Sequence, residues 1–201
     1  MIKRCFDFAV ALFGLIVLAP FLSLIALLVK LDSKGPVFFR QERIGRGFKP
    51  FKICKIRTMV ENAAKSGELT TSNKDPRITR MGAFLRRTKI DELPQLINVL
   101  KGEMSIVGPR PEVRHYVELY RKDYEVILTL RPGITDLASL KYQDEAAILG
   151  SAHDPEAEYR NKILPDKIAL AKEYVSRSSF LFDLALTLKT LPKLCGRNAS
   201  S

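Results

Sequence analysis

Lys89-Ile90-Asp91-Glu92-Leu93-Pro94-Gln95-Leu96-Ile97-Asn98-Val99-Leu100-Lys101-Gly102 is the stretch around which the rest of the chain is read. Leu93, Leu96, Ile97 and Leu100 recur at i, i+3, i+4 and i+7, which predicts a helix with one buried stripe. Asp91 stands where an N-cap belongs and Gly102 where a C-cap belongs. Pro94 fits the first turn, because the amide it lacks has no helical partner there. Two adjacent carboxylates are thereby expected at the positive end of a helix, a position that favours their charged form and draws phosphate or metal-bound anions. Considered in isolation, an ordinary cap followed by an ordinary first-turn acid is the better explanation of the pair, because caps of this kind are common. The surrounding chain has to decide between the two.

Working outward, 201 residues suffice for one domain with a real core. Lys and Arg number 33 against 22 acids, a net charge of +11, which points to a polyanionic partner: nucleic acid, an anionic membrane or phosphorylated substrates. Cys5, Cys54 and Cys195 are odd in number and far apart, so neither a disulfide framework nor a zinc site is indicated, and a reducing compartment fits. His115 and His153 form no metal-like cluster. GxSxG, Walker and GxGxxG motifs are missing, which removes local support for serine hydrolysis and dinucleotide binding.

From Cys5 to Val29 the chain is apolar except for Asp7 and Ser23, long enough for a bilayer core, which takes about 20 residues. Pro20 interrupts it and pushes Ala19 away from helical angles. The halves on either side, roughly 21 and 14 Å of helix, are each shorter than the ~30 Å hydrocarbon layer. Lys3 and Arg4 precede the run, and Lys30, Lys34, Arg40, Arg43 and Arg46 follow it. Basic residues favour the cytoplasmic side, so a helix that bends at Ala19-Pro20 and returns satisfies both flanks. A straight span, a buried soluble helix and a signal peptide are the alternatives.

Phe51-Lys52-Ile53-Cys54-Lys55-Ile56-Arg57 alternates apolar and basic, the pattern of a strand with one wet face. A solvated basic strand explains it as well as a binding role does. Residues 61–77 carry turn signals and predict a surface loop. A short helix from Thr79 to Arg87 follows, bearing Arg80, Arg86 and Arg87. In Gly108-Pro109-Arg110-Pro111, two prolines hold Arg110 in a stiff frame suited to bidentate phosphate recognition, or Pro111 merely opens the next helix. One helix is expected over Glu112–Leu130, ending at the rigid Arg131-Pro132-Gly133 turn. Residues 136–149 are ambiguous. Asp154-Pro155 caps a helix toward Ile163, and Pro165-Asp166 opens another to about Ser176. Phe180–Leu191 is too short to span and suits an interfacial helix packed on the first apolar segment.

Lys55, Arg57, Arg86, Arg110 and Arg131 thus lie in segments with turn or strand signals around an acidic pair. A phosphoryl-transfer site needs cations of this kind, and a carboxylate can act as a covalent nucleophile toward phosphorus while its neighbour holds a metal or helps with a proton.

Lys55-Ile-Arg-Thr-Met59, Asp91-Glu-Leu-Pro-Gln-Leu96, Lys101-Gly-Glu-Met-Ser105, Gly108-Pro-Arg-Pro111 and Arg131-Pro-Gly-Ile-Thr135, in this order, resemble the bacterial sugar transferase family of small monotopic polyprenol-phosphate phosphoglycosyl transferases. The resemblance implies transfer of a sugar 1-phosphate from a UDP-sugar to a polyprenol phosphate such as undecaprenyl phosphate, with release of UMP. It implies that Asp91 attacks the β-phosphate and carries the phosphosugar, and that Glu92 assists by deprotonating the lipid phosphate. Mg2+ would sit at Asp91 and the diphosphate. Arg86, Arg110 and Arg131 match family arginines near the phosphates, and Lys55 and Arg57 match a basic pair. The family's membrane helix breaks at Ser-Pro, where this chain has Ala19-Pro20. After Arg131-Pro-Gly the run Ile-Thr-Asp-Leu-Ala-Ser departs from the commoner GLxQVxGR-like pattern.

The expected fold is therefore α+β and mainly helical. Residues 1–201 form a single domain, with 1–30 a re-entrant membrane helix broken at Pro20. Residues 31–201 are the cytoplasmic catalytic part, with a small β-hairpin and amphipathic interfacial helices around the site. The expected location is the cytoplasmic face of the bacterial inner membrane, in contact with phospholipid. The alternative is a non-catalytic basic adaptor at the membrane, which leaves the acidic pair unexplained. Nucleic-acid binding lacks an RNP-like pattern or recognition helix. Nothing in the sequence supports a homo-oligomer.

Overall fold

In the computed structural model, which describes residues 2–61, 63, 75–142 and 144–194, the first apolar segment is one helix, α1, over Ile2–Asp32. Helical backbone continues across Pro20 rather than breaking there. The proline removes one amide from the ladder, and the Ser23 hydroxyl donates to the Ala19 carbonyl at 2.9 Å, a back-bond of the kind that bends helices. The hydroxyl that the Ala19-Pro20 pair lacks is thus supplied one turn later. One stripe of α1, from Asp7 and Ala11 through Leu15, Leu18 and Leu22 to Ile25 and Val29, faces the rest of the protein. The opposite face is apolar and bare: Phe13, Ile16, Val17, Leu24, Leu27 and Leu31 are each more than half exposed.

The alternating run forms the second arm of an antiparallel hairpin, β1 (Phe38–Ile44) with β2 (Pro50–Ile56), in register from Phe38 opposite Ile56 to Ile44 opposite Pro50. Phe51 and Ile53 point inward and Lys52 outward, as alternation requires, but Ile56, on the same face as Lys52, is buried as well. The wet face fails further along, since Lys55 is only half exposed or less and Arg57 is buried. Helix α2 (Arg80–Thr88) begins where expected, with the Thr79 hydroxyl accepting from the Gly82 amide at 3.0 Å. The loop predicted for residues 61–77 falls mostly outside the described residues. Its ends are joined by a bridge between Met59 and Ile78.

The central stretch departs from its sequence reading. Helix α3 covers only Gln95–Lys101, with Pro94 at its N-cap position and Gly102 closing it in the left-handed region at φ 81°. Asp91 is not the cap. It lies in a separate 3-10 turn, Ile90–Glu92, reached through Lys89 at φ 58°. The buried residues of α3 are Gln95, Leu96, Asn98 and Val99, not the stripe through Ile97 and Leu100. A seven-residue helix wedged between α1 and β2 presents more than one face to neighbours, so simple amphipathic spacing misreads it.

Two three-residue strands, β3 (Ser105–Val107) and β4 (Gly133–Thr135), pair in parallel. They bring the Gly108-Pro-Arg-Pro and Arg131-Pro-Gly motifs together. The Gly108 amide donates to Thr135 O at 3.0 Å and the Gly133 amide to Pro109 O at 2.9 Å. A Cβ at residue 133 would sit 2.0 Å from the Gly108 nitrogen. Gly133→Ala is therefore expected to lower stability by about 2 kcal/mol, read as a shifted urea midpoint at unchanged slope.

The helix expected over 112–130 is two, α4 (Arg114–Leu119) and α5 (Arg121–Ile127), separated by Tyr120 at φ −116°. The ambiguous stretch holds α6 (Leu137–Lys141) and α7 (Glu145–Ser151). Asp154 caps α8 (Pro155–Glu158), its carboxylate accepting from the Ala157 amide. A π-helical turn, Tyr159–Ile163, leads into α9 (Leu164–Arg177), and α10 (Phe180–Leu194) follows. Helices α4, α5 and α9 enclose one core cluster around Tyr116, Val117, Ile127 and Leu164. A second gathers the first half of α1, β2, α3 and β3 around Ala11, Val99 and Met104. A third joins the second half of α1 to α2 through Ile25, Val29, Ile56 and Leu85. The last helix packs on the first: Phe180 meets Phe6 edge to face at 5.4 Å, and Asp183 pairs with Lys3.

Candidate active site

Three of the five predicted cations converge on the acidic pair. From β2, Lys55 donates to Glu92 Oε1 at 2.7 Å, and from the turn after β3, Arg110 donates to the same oxygen at 2.9 Å. Arg86, in the last turn of α2, is aimed by the Thr58 hydroxyl, which accepts from its Nε at 2.8 Å. Its charge, like those of Lys55 and Lys89, acts on Asp91.

The two carboxyls are pushed in opposite directions. Burial raises the Asp91 carboxyl to about 6, with the Glu92 charge adding to the rise, against the pull of Lys55, Arg86 and Lys89. Asp91 is 7% exposed, and its Oδ1 is buried without a partner among the described residues. Burial acts on Glu92 too, but Arg110 and Lys55 outweigh it and hold that carboxyl well below the usual carboxylate range. The same bonds stabilise the cations: Glu92 raises the Arg110 guanidinium well above its ordinary value, while burial lowers the Lys55 ammonium despite Glu92 beside it. A carboxylate held this firmly by two cations is a weak proton acceptor near neutral pH. It acts instead as a post that keeps Lys55 and Arg110 in place beside a carboxyl whose own oxygen is unpartnered.

Arg57 and Arg131 lie elsewhere. The Arg57 guanidinium closes the end of α1, donating to Lys34 O at 2.6 Å, Ser33 O at 2.7 Å and Val29 O at 3.3 Å. These carbonyls lie in the last turn of α1 and in the two residues after it, and one buried guanidinium with its several donors holds them together. Arg131 donates from Nε to Gly102 O at 2.9 Å, at the far end of α3. Neither makes a contact with Asp91 or Glu92 among the described residues.

The sequence reading passed over Lys89, Thr58 and Asn98. Lys89 links α2 to the acidic turn from a left-handed conformation that a lysine rarely adopts, the sort of strain that gathers at functional sites. Asn98 is 1% exposed. Its Oδ1 accepts from the Cys54 amide at 2.9 Å, and its Nδ2 donates to Lys52 O at 2.9 Å and to Glu103 Oε2 at 2.7 Å. It ties α3 to the strand that carries Lys55. A polar residue inside an apolar run, as in Ile97-Asn98-Val99, was the available signal.

No group of three or more His, Cys, Asp or Glu side chains converges among the described residues. Magnesium, however, is commonly held by one or two carboxylates together with substrate phosphates, and the unpartnered Asp91 oxygen fits that arrangement.

The family model for bacterial sugar transferase matches residues 1–197. The chain is 42% identical over 198 residues to the exopolysaccharide production protein PSS of Rhizobium leguminosarum bv. phaseoli, covering 95% of this chain and 94% of that one. It is 37% identical over 195 residues to the UDP-glucose:undecaprenyl-phosphate glucose-1-phosphate transferase of Caulobacter vibrioides, covering 96% and 69%. It is 36% identical over 193 residues to the UDP-N-acetylgalactosamine-undecaprenyl-phosphate N-acetylgalactosaminephosphotransferase of Aeromonas hydrophila, covering 94% of this chain and 43% of the relative.

Proposed function

The chain belongs to the bacterial sugar transferase family, and from that membership we propose that it moves a sugar 1-phosphate from a UDP-sugar to a polyprenol phosphate through a covalent intermediate on Asp91. The observation that carries the reading is the pairing of an unpartnered, buried Asp91 oxygen with a neighbour whose charge fixes two cations. In the first half-reaction an Asp91 oxygen forms a bond to the β-phosphorus, the bond from that phosphorus to the bridging oxygen breaks, and UMP leaves with the oxygen and its electron pair. In the second, a phosphate oxygen of the lipid attacks the same phosphorus, and the Asp91 carboxylate leaves. The product is a polyprenyl diphosphate sugar, and the aspartate is restored.

Lys55, Arg86 and Arg110 supply positive charge where negative charge builds on the transferred group. Glu92, expected from the resemblance to take a proton, serves in this account to position Lys55 and Arg110. The lipid phosphate ionises near neutrality without it. Asp91 and the diphosphate would hold Mg2+, which when bound neutralises phosphate charge. Arg57 acts indirectly, by anchoring α1.

For the membrane seat, the support is the bare apolar face of α1, the only helix among the described residues long and apolar enough to cross a bilayer. Soluble proteins rarely expose so large a contiguous apolar surface. Both halves of α1 pack on the same body, on either side of Pro20, and both flanks are basic. A bent, re-entrant α1 with the body on the cytoplasmic face of the bacterial inner membrane satisfies all three. The glucose and N-acetylgalactosamine named for the relatives bracket a sugar class without choosing within it. A non-catalytic adaptor would need the exposed cations but not the buried pair.

The test is to incubate the protein with magnesium and a panel of UDP-sugars, withholding the lipid acceptor. One equivalent of UMP is expected, with a phosphosugar on the Asp91 peptide by mass spectrometry. UMP release only when lipid is present would overturn the covalent route. Because the nucleophile is the ionised form, the rate of that first release should rise tenfold per unit of pH below about 6 and level off above it. A flat profile from about pH 5 to 8 would contradict the assignment.

A further inference from the structure

A cavity of about 270 Å³ lies away from the acidic pair. It opens at the far end of α3, between the start of α1 and the turn joining α9 to α10. Lys3, Arg4, Arg46, Arg131, Ser178 and Ser179 face it. The carboxylates that line it, Asp7 and Asp183, are already occupied. Asp7 accepts from the Ser105 hydroxyl at 2.7 Å and the Ile106 amide at 3.2 Å, and Asp183 pairs with Lys3 and the Tyr174 hydroxyl. Arg4 is committed to Val99 O and Leu100 O, the carbonyl end of α3. The remaining cations are differently placed. Among the described residues, the Arg131 guanidinium uses only Nε, toward Gly102 O, and the exposed Arg46 side chain makes no hydrogen bond or ion pair. The bond from the Gly47 amide to Leu128 O, 2.9 Å, holds the hairpin turn bearing Arg46 against the segment bearing Arg131.

The chemistry of the rim matches a lipid surface. Ile2 is 75% exposed and Leu181 76%, with Phe8 and Phe180 partly exposed beside them on α1 and α10. A cationic cleft bordered by bare apolar side chains puts its guanidiniums at headgroup depth when those side chains enter the acyl region. The volume suits a headgroup rather than a nucleotide sugar.

We propose that this cleft binds the phosphate of an anionic phospholipid headgroup, through Arg46 and Arg131, at a site separate from the acidic pair. The assignment rests on the membrane seat of α1 and is independent of the chemistry at Asp91. It is tested by flotation of the full chain with vesicles of phosphatidylcholine, alone or with about a quarter phosphatidylglycerol. The wild-type protein should float with both and bind the anionic vesicles about thirtyfold more tightly, the scale expected for two headgroup-level cations. Arg46→Gln, which disturbs no bond in the fold, should remove part of that preference, and Arg46→Gln with Arg131→Gln most of it. Lys122→Gln with Lys162→Gln removes the same charge from exposed lysines elsewhere and should leave the preference standing. An equal loss in that control would reduce the effect to net charge and overturn the site. Wild-type binding without preference would do the same. If inorganic phosphate erased the preference at matched ionic strength, the cleft would be a free-anion site and the lipid assignment would fall. Failure to float with either vesicle would overturn the membrane seat, and the site with it.

Discussion

Asp91→Asn is expected to abolish UMP release, by at least about ten-thousandfold, and to make the protein more stable at neutral pH. The two effects have one cause. Asn keeps the shape of the side chain but has no anionic oxygen to form a bond to phosphorus. It also lacks the charge that burial penalises. The Asp91 proton leaves the native state near pH 6 and the unfolded chain near 3.8. Between those values the native state binds the extra proton, so stability contributed by protonated Asp91 is complete below 3.8 and lost as pH rises through 6. At neutral pH the wild-type protein carries a charge that costs on the order of 3 kcal/mol, the opposing pull of Lys55, Arg86 and Lys89 already included. The gap between the denaturant midpoints of the two proteins should therefore open as pH rises from about 4 to 6, stay constant above that, and be smallest below about pH 4. Turnover retained in Asp91→Asn would end its role as nucleophile. A variant less stable than wild type at pH 7 would instead refute the account of its burial.

Asn98→Ala should bring the largest loss of stability of any single change near the site, about 3 to 5 kcal/mol. Three bonds go together, from Asn98 to the Cys54 amide, to Lys52 O and to Glu103 Oε2. A buried amide and a partly buried carbonyl lose their partners, and a buried cavity is left. Function should suffer beyond the loss of folded protein, because Lys55 is the residue after Cys54 and its contact with Glu92 depends on the strand staying docked on α3. The measurement is a urea titration together with turnover corrected for the folded fraction. A loss below about 1 kcal/mol, the scale of a single ordinary hydrogen bond, would show that hydrophobic packing alone docks the hairpin.

The acidic turn shows where local reading succeeds and where it stops. Pro94, Gly102 and the apolar residues around them signal a helix, and a helix forms, because φ restrictions and capping act within a few residues. The same spacing assigned Asp91 to the cap. It lies instead in a separate turn, because α2 ends in a left-handed Lys89 and the chain changes direction before α3 begins.

Charge was harder still. Lys55 and Arg57 are two residues apart on one strand, and alternation places both on a single wet face. In the folded protein one reaches Glu92 and the other seals the end of α1, each through contacts more than 20 residues away in sequence. Arg110 and Arg131 look alike as arginines beside proline, yet the parallel pairing of β3 and β4 sends one to the acidic pair and the other to the carbonyl end of α3.

By itself, then, the sequence determined the apolar first helix, the hairpin, the family and the acidic pair, all of which rest on periodicity, backbone restriction and ordered motifs. Tertiary structure alone decided which cations meet the acids, why Asp91 is buried and unpartnered, and that Asn98 binds the site to its strand. Long-range packing sets the dielectric and the partners of a charged group, and neither is written in its sequence neighbours.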